Sequence, residues 1–237
     1  SYGMGEKSIV EIAERLKRGD KIKEITNIPG TAYISAEKPS DAFEIPDFES
    51  VRDDKRQYAM SCKYQYEKNG ALAQRHFDKY LVVNKPMPPL TQAEMDRTYS
   101  LPYTRNYHPS YEAEGGVPAI EEVKFSITSS RGCFGGCNFC AITLHQGRRV
   151  TSRSADSIVA EAERMTHDPD FKGYIHDIGG PTANFRFPSC REQMKDGMCG
   201  GGKHCLAPRP CPHLIVDHSD YLDVLRRVRA LPGVKKV

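Results

Sequence analysis

Cys133, Cys137 and Cys140 fall in the run Cys133-Phe134-Gly135-Gly136-Cys137-Asn138-Phe139-Cys140, spaced Cys-x3-Cys-x2-Cys. Thiols this close together point to a metal or to catalysis when the surroundings are reducing. A structural zinc takes four closed ligands, usually in Cys-x2-Cys pairs, and a triplet with an x3 gap matches that poorly. A disulfide needs an oxidising compartment and leaves one thiol over. An iron–sulfur cluster is held by thiolates in tight loops. Three thiolates on a four-iron cluster leave one iron without a protein ligand, and an open metal position marks a catalytic site. The spacing favours the cluster. Gly132, Gly135 and Gly136 free the backbone to wrap closely around a bulky group.

Four further cysteines, Cys190, Cys199, Cys205 and Cys211, lie in an insertion at about 185–215 that is rich in Gly and Pro. This segment has too little apolar surface to order unaided. A structural zinc, whose binding energy is folding energy, would order it. An auxiliary iron–sulfur cluster is the other candidate, with His204 and His213 able to replace a thiolate. A loop of reduced cysteines is the plain alternative. Cys62 stands alone at an apolar helical position and reads as core packing. Arg148 and Arg149 follow the cysteine loop, as an anion contact or as a solvated pair, and His145 is undecided in the same way.

Lys and Arg number 34 against 31 Asp and Glu, a net charge of +3 that gives no clear nucleic-acid signal. The start of the chain lacks a basic segment followed by an apolar run, and no stretch approaches the roughly 20 apolar residues of a membrane span. The expectation is a cytoplasmic protein without a membrane partner. A mean hydropathy of -0.59 is low for a dense core but above the disordered range.

The run from Ser126 to Arg153 (SITSSRGCFGGCNFCAITLHQGRRVTSR) resembles the YgiQ-type radical SAM proteins, and the opening YGMGEKSIVEIAERL resembles the end of the α/β domain that precedes the barrel in that group. The resemblance implies an internal fragment with an α/β fold. Residues 1–115 would be the C-terminal part of an N-terminal α/β domain plus a linker. Residues 116–237 would be the first part of an incomplete radical SAM (β/α) TIM-like barrel. It implies that Cys133, Cys137 and Cys140 hold a [4Fe-4S] cluster, whose fourth iron takes S-adenosyl-L-methionine (SAM). It implies that Phe139 contacts the adenine, and that Gly179 and Gly180 offer backbone oxygens to the methionine amino group. Pro181 and Thr182 depart from the family there, where an acidic residue is common. The implied reaction is reductive cleavage of SAM to a 5'-deoxyadenosyl radical, with an electron donor such as flavodoxin or ferredoxin and an unknown substrate. A cobalamin-dependent methyltransferase of the same class, or a noncatalytic iron–sulfur or zinc-binding protein on the same fold, are the alternatives.

The elements that must carry these residues can be read from periodicity. Residues 7–18 form an amphipathic helix with Ile9, Ile12, Ala13 and Leu16 inward and Gly19 at its end. Residues 50–68 read as one polar helix with Val51, Tyr58, Cys62 and Tyr66 inward, and 79–84 as a strand. Thr91-Gln92-Ala93-Glu94 is a capping box. Val123, Phe125 and Ile127 alternate as a strand leading into the cysteine loop. Ser154 caps a helix with Ile158, Val159, Ala162 and Met165 inward, and residues 173–178 form the next strand, which makes a parallel βαβ unit. Ser219 caps a helix with Leu222, Leu225 and Val228 inward, and 234–237 open a third strand.

Overall fold

The computed structural model describes residues 2–137, 139–181, 184–197, 199, 205–207 and 209–237, and of Asp196 only the backbone. Thr182 and His204 lie outside the described residues. The chain divides into two units. One comprises 1–89, 133–149 and 195–212; the other comprises 90–132, 150–194 and 213–237.

In the first unit, α1 (Glu6–Lys17) precedes β1 (Ala32–Ser35) and β2 (Phe43–Ile45). Two helices follow, α2 (Phe48–Asp53) and α3 (Lys55–Glu67), then β3 (Leu72–His76) and β4 (Lys79–Val83). The strands make one sheet in the order β1-β4-β3-β2, antiparallel except for the β2–β3 pair. The single helix expected over 50–68 is two, because the Asp54 backbone is extended and its carboxylate caps α3 by accepting from Arg56 N. Ala42, Ala73 and Val82 pack on one face of the sheet with Tyr33 and Tyr80. The Asn84 amide donates to the carbonyls of Thr26 and Ile28 and to the Thr31 hydroxyl, tying segment 26–31 to β4.

The face predicted to be inward on α1 is largely open. Ile9 and Leu16 are exposed, and the buried residue is Ser8, whose hydroxyl donates to the Pro29 carbonyl. Ile9 and Ile12 instead border a cavity of about 600 Å³ with Leu72, Leu81 and Val83 of the sheet. On α3, too, the buried residue is Ser61, and the predicted inner-face Tyr58 is exposed.

The second unit begins with α4 (Gln92–Tyr99), whose capping box forms as predicted: Thr91 accepts from Glu94 N, and the Glu94 carboxylate accepts from Thr91 N. A short helix, α5 (Ile120–Val123), leads to β5 (Ser126–Thr128) and β6 (Ser130–Arg131). Val123 therefore ends a helix and is exposed, while Phe125 and Ile127 are buried as expected. The loop that follows, in the first unit, carries α6 (Ile142–His145). Then come β7 (Thr151–Ser152), α7 (Ala155–Thr166), β8 (Asp177–Gly179), α8 (Arg191–Asp196) and α9 (Ser219–Arg229).

β5 pairs in parallel with β8, with α7 between them in sequence, so the predicted βαβ unit is present. Phe125, Ile127, Ile158, Ala162, Met165, Ile178, Val224 and Val228 form its core. Ser154 caps α7 by accepting from Ser157 N. On α9 Val224 and Val228 are buried and Leu225 packs against the core as expected, with Leu222 exposed, and Ser219 is the first helical residue rather than the cap. Tyr174 bridges Lys236 in parallel at the point expected for a third strand. Among the described residues the strands make sheets of four, two and two, and none closes into a barrel. No helix among them is long and apolar enough to cross a membrane.

A buried ionic network holds this unit together. The Arg153 side chain has no exposed surface. It pairs with the buried Glu161, donates to the Thr128 carbonyl at 3.1 Å and to the Ser157 carbonyl at 2.9 Å, and lies 4.4 Å from the Tyr99 ring centre. Burial pushes its pKa down to about 10, against the pull of Tyr99 and Asp96, so it remains a cation at neutral pH. Arg105 pairs with the same Glu161. Glu161→Ala would leave both guanidinium groups without that counter-charge. It is expected to lower the stability of the full-length protein by about 3–5 kcal/mol in chemical denaturation, against about 0.5–1.5 kcal/mol for Ile158→Val. Equal losses in the two variants would show that the ion pair carries no special share.

Candidate functional site

The strands flanking the cysteine loop, β6 and β7, pair in register Ser130↔Ser152 and Arg131↔Thr151, so the chain leaves and re-enters the second unit at one place. The loop itself belongs to the first unit. Cys133 N donates to the Gly147 carbonyl at 3.0 Å and closes the loop near its base. Cys140 N donates to the Cys137 carbonyl at 3.1 Å, a tight turn between the last two cysteines.

All eight cysteines are free thiols. Gly135 N donates to Cys133 Sγ at 3.3 Å. Hydrogen bonds of this kind to sulfur tune a bound cluster. A Cβ added to Gly135 would stand 3.2 Å from Cys133 Sγ, a tight contact, and 3.7 Å from Cys137 Sγ, an ordinary one, so both sulfurs lie beside this point of backbone. The third thiol is not part of this pair: no group of three His, Cys, Asp or Glu among the described residues is arranged to hold a metal ion. Cys133 and Cys140 are half-buried and Cys137 is exposed. Phe139 is 92% exposed.

Gly179 and Gly180 belong to the second unit, at the end of β8. The Gly179 carbonyl accepts from Ser129 N at 2.7 Å. A Cβ on Gly180 would collide with the Ser130 hydroxyl, so this glycine too is set by a close neighbour. Of the four later cysteines, Cys190 lies in the second unit and Cys199, Cys205 and Cys211 in the first. Cys205 is buried, and its carbonyl accepts from Cys211 N at 2.9 Å.

Two residues near the loop carry more than the sequence reading gave them. The Tyr66 hydroxyl donates to the Cys140 carbonyl at 3.2 Å. The Tyr66 carbonyl accepts from Arg148 at 2.5 Å, and the Arg148 guanidinium lies 5.0 Å from the Tyr66 ring centre. Burial lowers the Arg148 pKa and raises that of Tyr2 nearby. Tyr66 is 74 positions from Cys140 in sequence, so local pattern carries no trace of this contact; its helical position signalled only packing.

A family model described as radical SAM N-terminal matches residues 1–126. The chain belongs to the radical SAM N-terminal family. It is 55% identical over 243 residues to a UPF0313 protein of Clostridium botulinum (strain ATCC 19397 / Type A), with all of this chain and 38% of that protein covered. It is 56% identical over 245 residues to a UPF0313 protein of Clostridium perfringens (strain ATCC 13124), covering all of this chain and 37% of that protein. The resemblance to the YgiQ-type group is thereby borne out. The chain spans little more than a third of the length of these relatives. No solved structure matches it.

Tyr66→Phe removes one hydrogen bond to the loop and leaves the ring under Arg148. The expected loss is about 0.5–1.5 kcal/mol of stability, with faster alkylation of Cys140 and unchanged alkylation of Cys62. Mass spectrometry of the alkylated full-length protein reads both, and an unchanged Cys140 rate would count against a restraining role for the hydroxyl.

Proposed function

We propose that the full-length protein is a radical SAM enzyme, with Cys133, Cys137 and Cys140 as the protein ligands of a [4Fe-4S] cluster. The observation that carries this reading is the Cys-x3-Cys-x2-Cys loop with free thiols, in which Cys133 and Cys137 turn their sulfurs toward the same buried glycine. Membership of the radical SAM N-terminal family supports it. The donor set fits the group: three soft thiols suit iron–sulfur chemistry, and a three-ligand set leaves an open iron. When bound, the cluster supplies the electron that splits SAM into methionine and a 5'-deoxyadenosyl radical.

The chain's own residues have positioning roles in this reading. Gly135 leaves room for the sulfurs and donates to Cys133. Tyr66 restrains the backbone at Cys140. Phe139 is assigned to the adenine, and Gly179 and Gly180 to the methionine amino group, through backbone oxygens that include the spare lone pair of the Gly179 carbonyl. The parallel β5–α7–β8 unit fits the first part of a radical SAM barrel over 116–237, after an N-terminal α/β portion and linker over 1–115. An electron donor of the flavodoxin or ferredoxin class and a cytoplasmic location complete the reading, since reduced thiols and a low-potential electron both require reducing surroundings.

Anaerobically reconstituted full-length protein is expected to hold about four irons in the cluster bound by this loop. Added SAM should change the EPR spectrum of the reduced protein and yield 5'-deoxyadenosine. Cys133→Ala should abolish both effects and lower the iron content. A spectrum insensitive to SAM, with no nucleoside product, would favour a noncatalytic iron–sulfur or zinc protein.

A further inference from the structure

Two pairs of cysteines in the first unit are joined by a backbone hydrogen bond. One, Cys137 with Cys140, belongs to the loop already described. The other is Cys205 with Cys211, where Cys211 N donates to the Cys205 carbonyl at 2.9 Å. Standard backbone dimensions then keep the two Cα atoms within about 6.8 Å of each other, the upper end of the separation that a disulfide bridges. Both thiols are reduced. They differ in access: Cys205 is 5% exposed, while Cys211 is half-buried.

The pair also sits beside the cysteine loop. Leu206, which follows Cys205, packs on that loop: a Cβ on Gly135 would lie 3.7 Å from Leu206 Cδ1. The segment has little apolar surface of its own, so a covalent link between its two ends would fix what packing does not.

We propose that Cys205 and Cys211 are a reversible redox pair, closed to a disulfide by hydrogen peroxide and reopened by a dithiol. The Cys211 sulfur, the more accessible of the two, attacks one peroxide oxygen as the thiolate and breaks the O–O bond. The other oxygen leaves as hydroxide and is protonated to water. The Cys205 sulfur then attacks the Cys211 sulfenic acid. The S–S bond forms, the S–O bond breaks, and the second water leaves with the Cys205 proton. In all, two thiols lose two electrons and one peroxide becomes two waters. A dithiol reverses the step by thiol–disulfide exchange. Reducing surroundings make such a bond transient, which suits a sensor rather than a permanent staple. The pair is separate from the three thiols assigned to the cluster, and the proposal stands whether or not the protein cleaves SAM.

The test treats full-length protein, with and without reconstituted iron, with limiting hydrogen peroxide. Remaining thiols are alkylated, and the digest is read by mass spectrometry. Both Cys205 and Cys211 are expected to lose alkylation together and to regain it after dithiol treatment. Cys211→Ser should restore alkylation of Cys205 after peroxide. Cys205→Ser should leave Cys211 as a sulfenic acid that dimedone traps, and the half-buried Cys211 variant still reports if the buried Cys205 one fails to fold. Alkylation of both thiols that persists after peroxide, or a link from either to Cys199 instead, would overturn the proposal. So would thiols already protected before peroxide and released by a zinc chelator, which would place a metal at the pair.

Discussion

A guanidinium with no exposed surface has to be satisfied on every side, and the second unit is organised around that requirement at Arg153. Its partners come from three elements. β5 gives the Thr128 carbonyl, α7 gives Ser157 and Glu161, and α4 gives the Tyr99 ring. An unpaired charge in that position costs several kcal/mol, so these elements are fixed relative to one another by the need to surround it. Arg186 repeats the device: it pairs with Asp220 and donates to the carbonyls of Ser129 and Arg153. Both arginines thus hold the backbone around β5 and β7, where the chain departs into the cysteine loop. Ion pairs of this kind seldom add much net stability over apolar packing, but they are intolerant of alternative registers.

The first unit relies on a different kind of constraint. Its sheet has a modest apolar face, and several polar side chains hold its segments: Asn84 across 26–31, Ser8 on Pro29, Tyr66 on the cysteine loop. The loop is kept by backbone hydrogen bonds at Cys133 and Cys140 rather than by packing of its own. Phe134 is its one strongly buried aromatic, while Phe139 faces outward. Loops of this build suit binding, because their conformation can adapt to what the side chains grip without disturbing a core.

Where local chemistry decides structure, the sequence was sufficient. The capping box at Thr91, the Ser154 cap, the buried stripe Ile158, Ala162 and Met165, and the parallel pairing of the strands around α7 all follow from rules that act over a few residues. The failures share a cause. Periodicity marks a hydrophobic face but not what covers it, so Ile9 and Leu16 were placed inward on a helix whose buried contact is Ser8. One helix was expected over 50–68 because the pattern runs on through Asp54, yet Asp54 is a better cap than a helical residue. On α9 Leu225 and Val228 meet the core as the pattern implies, and Val224 takes the place of Leu222. At the site, Cys spacing identified the loop and its glycines. Tyr66 and Arg153 were not legible, because each acts through partners that only the folded chain brings together.

Two independent lines meet in the functional reading, and their separation along the chain matters. The family match ends at residue 126, before the first of the three cysteines. It therefore says what kind of protein the N-terminal half belongs to, without touching the residues that would carry the chemistry. Those residues argue from their own types and spacing, and from two sulfurs that lie beside one buried glycine. Had the loop offered hard oxygen ligands or a closed set of four, family membership would not have rescued the cluster. Three soft thiols that would leave one iron open are what the proposed chemistry requires.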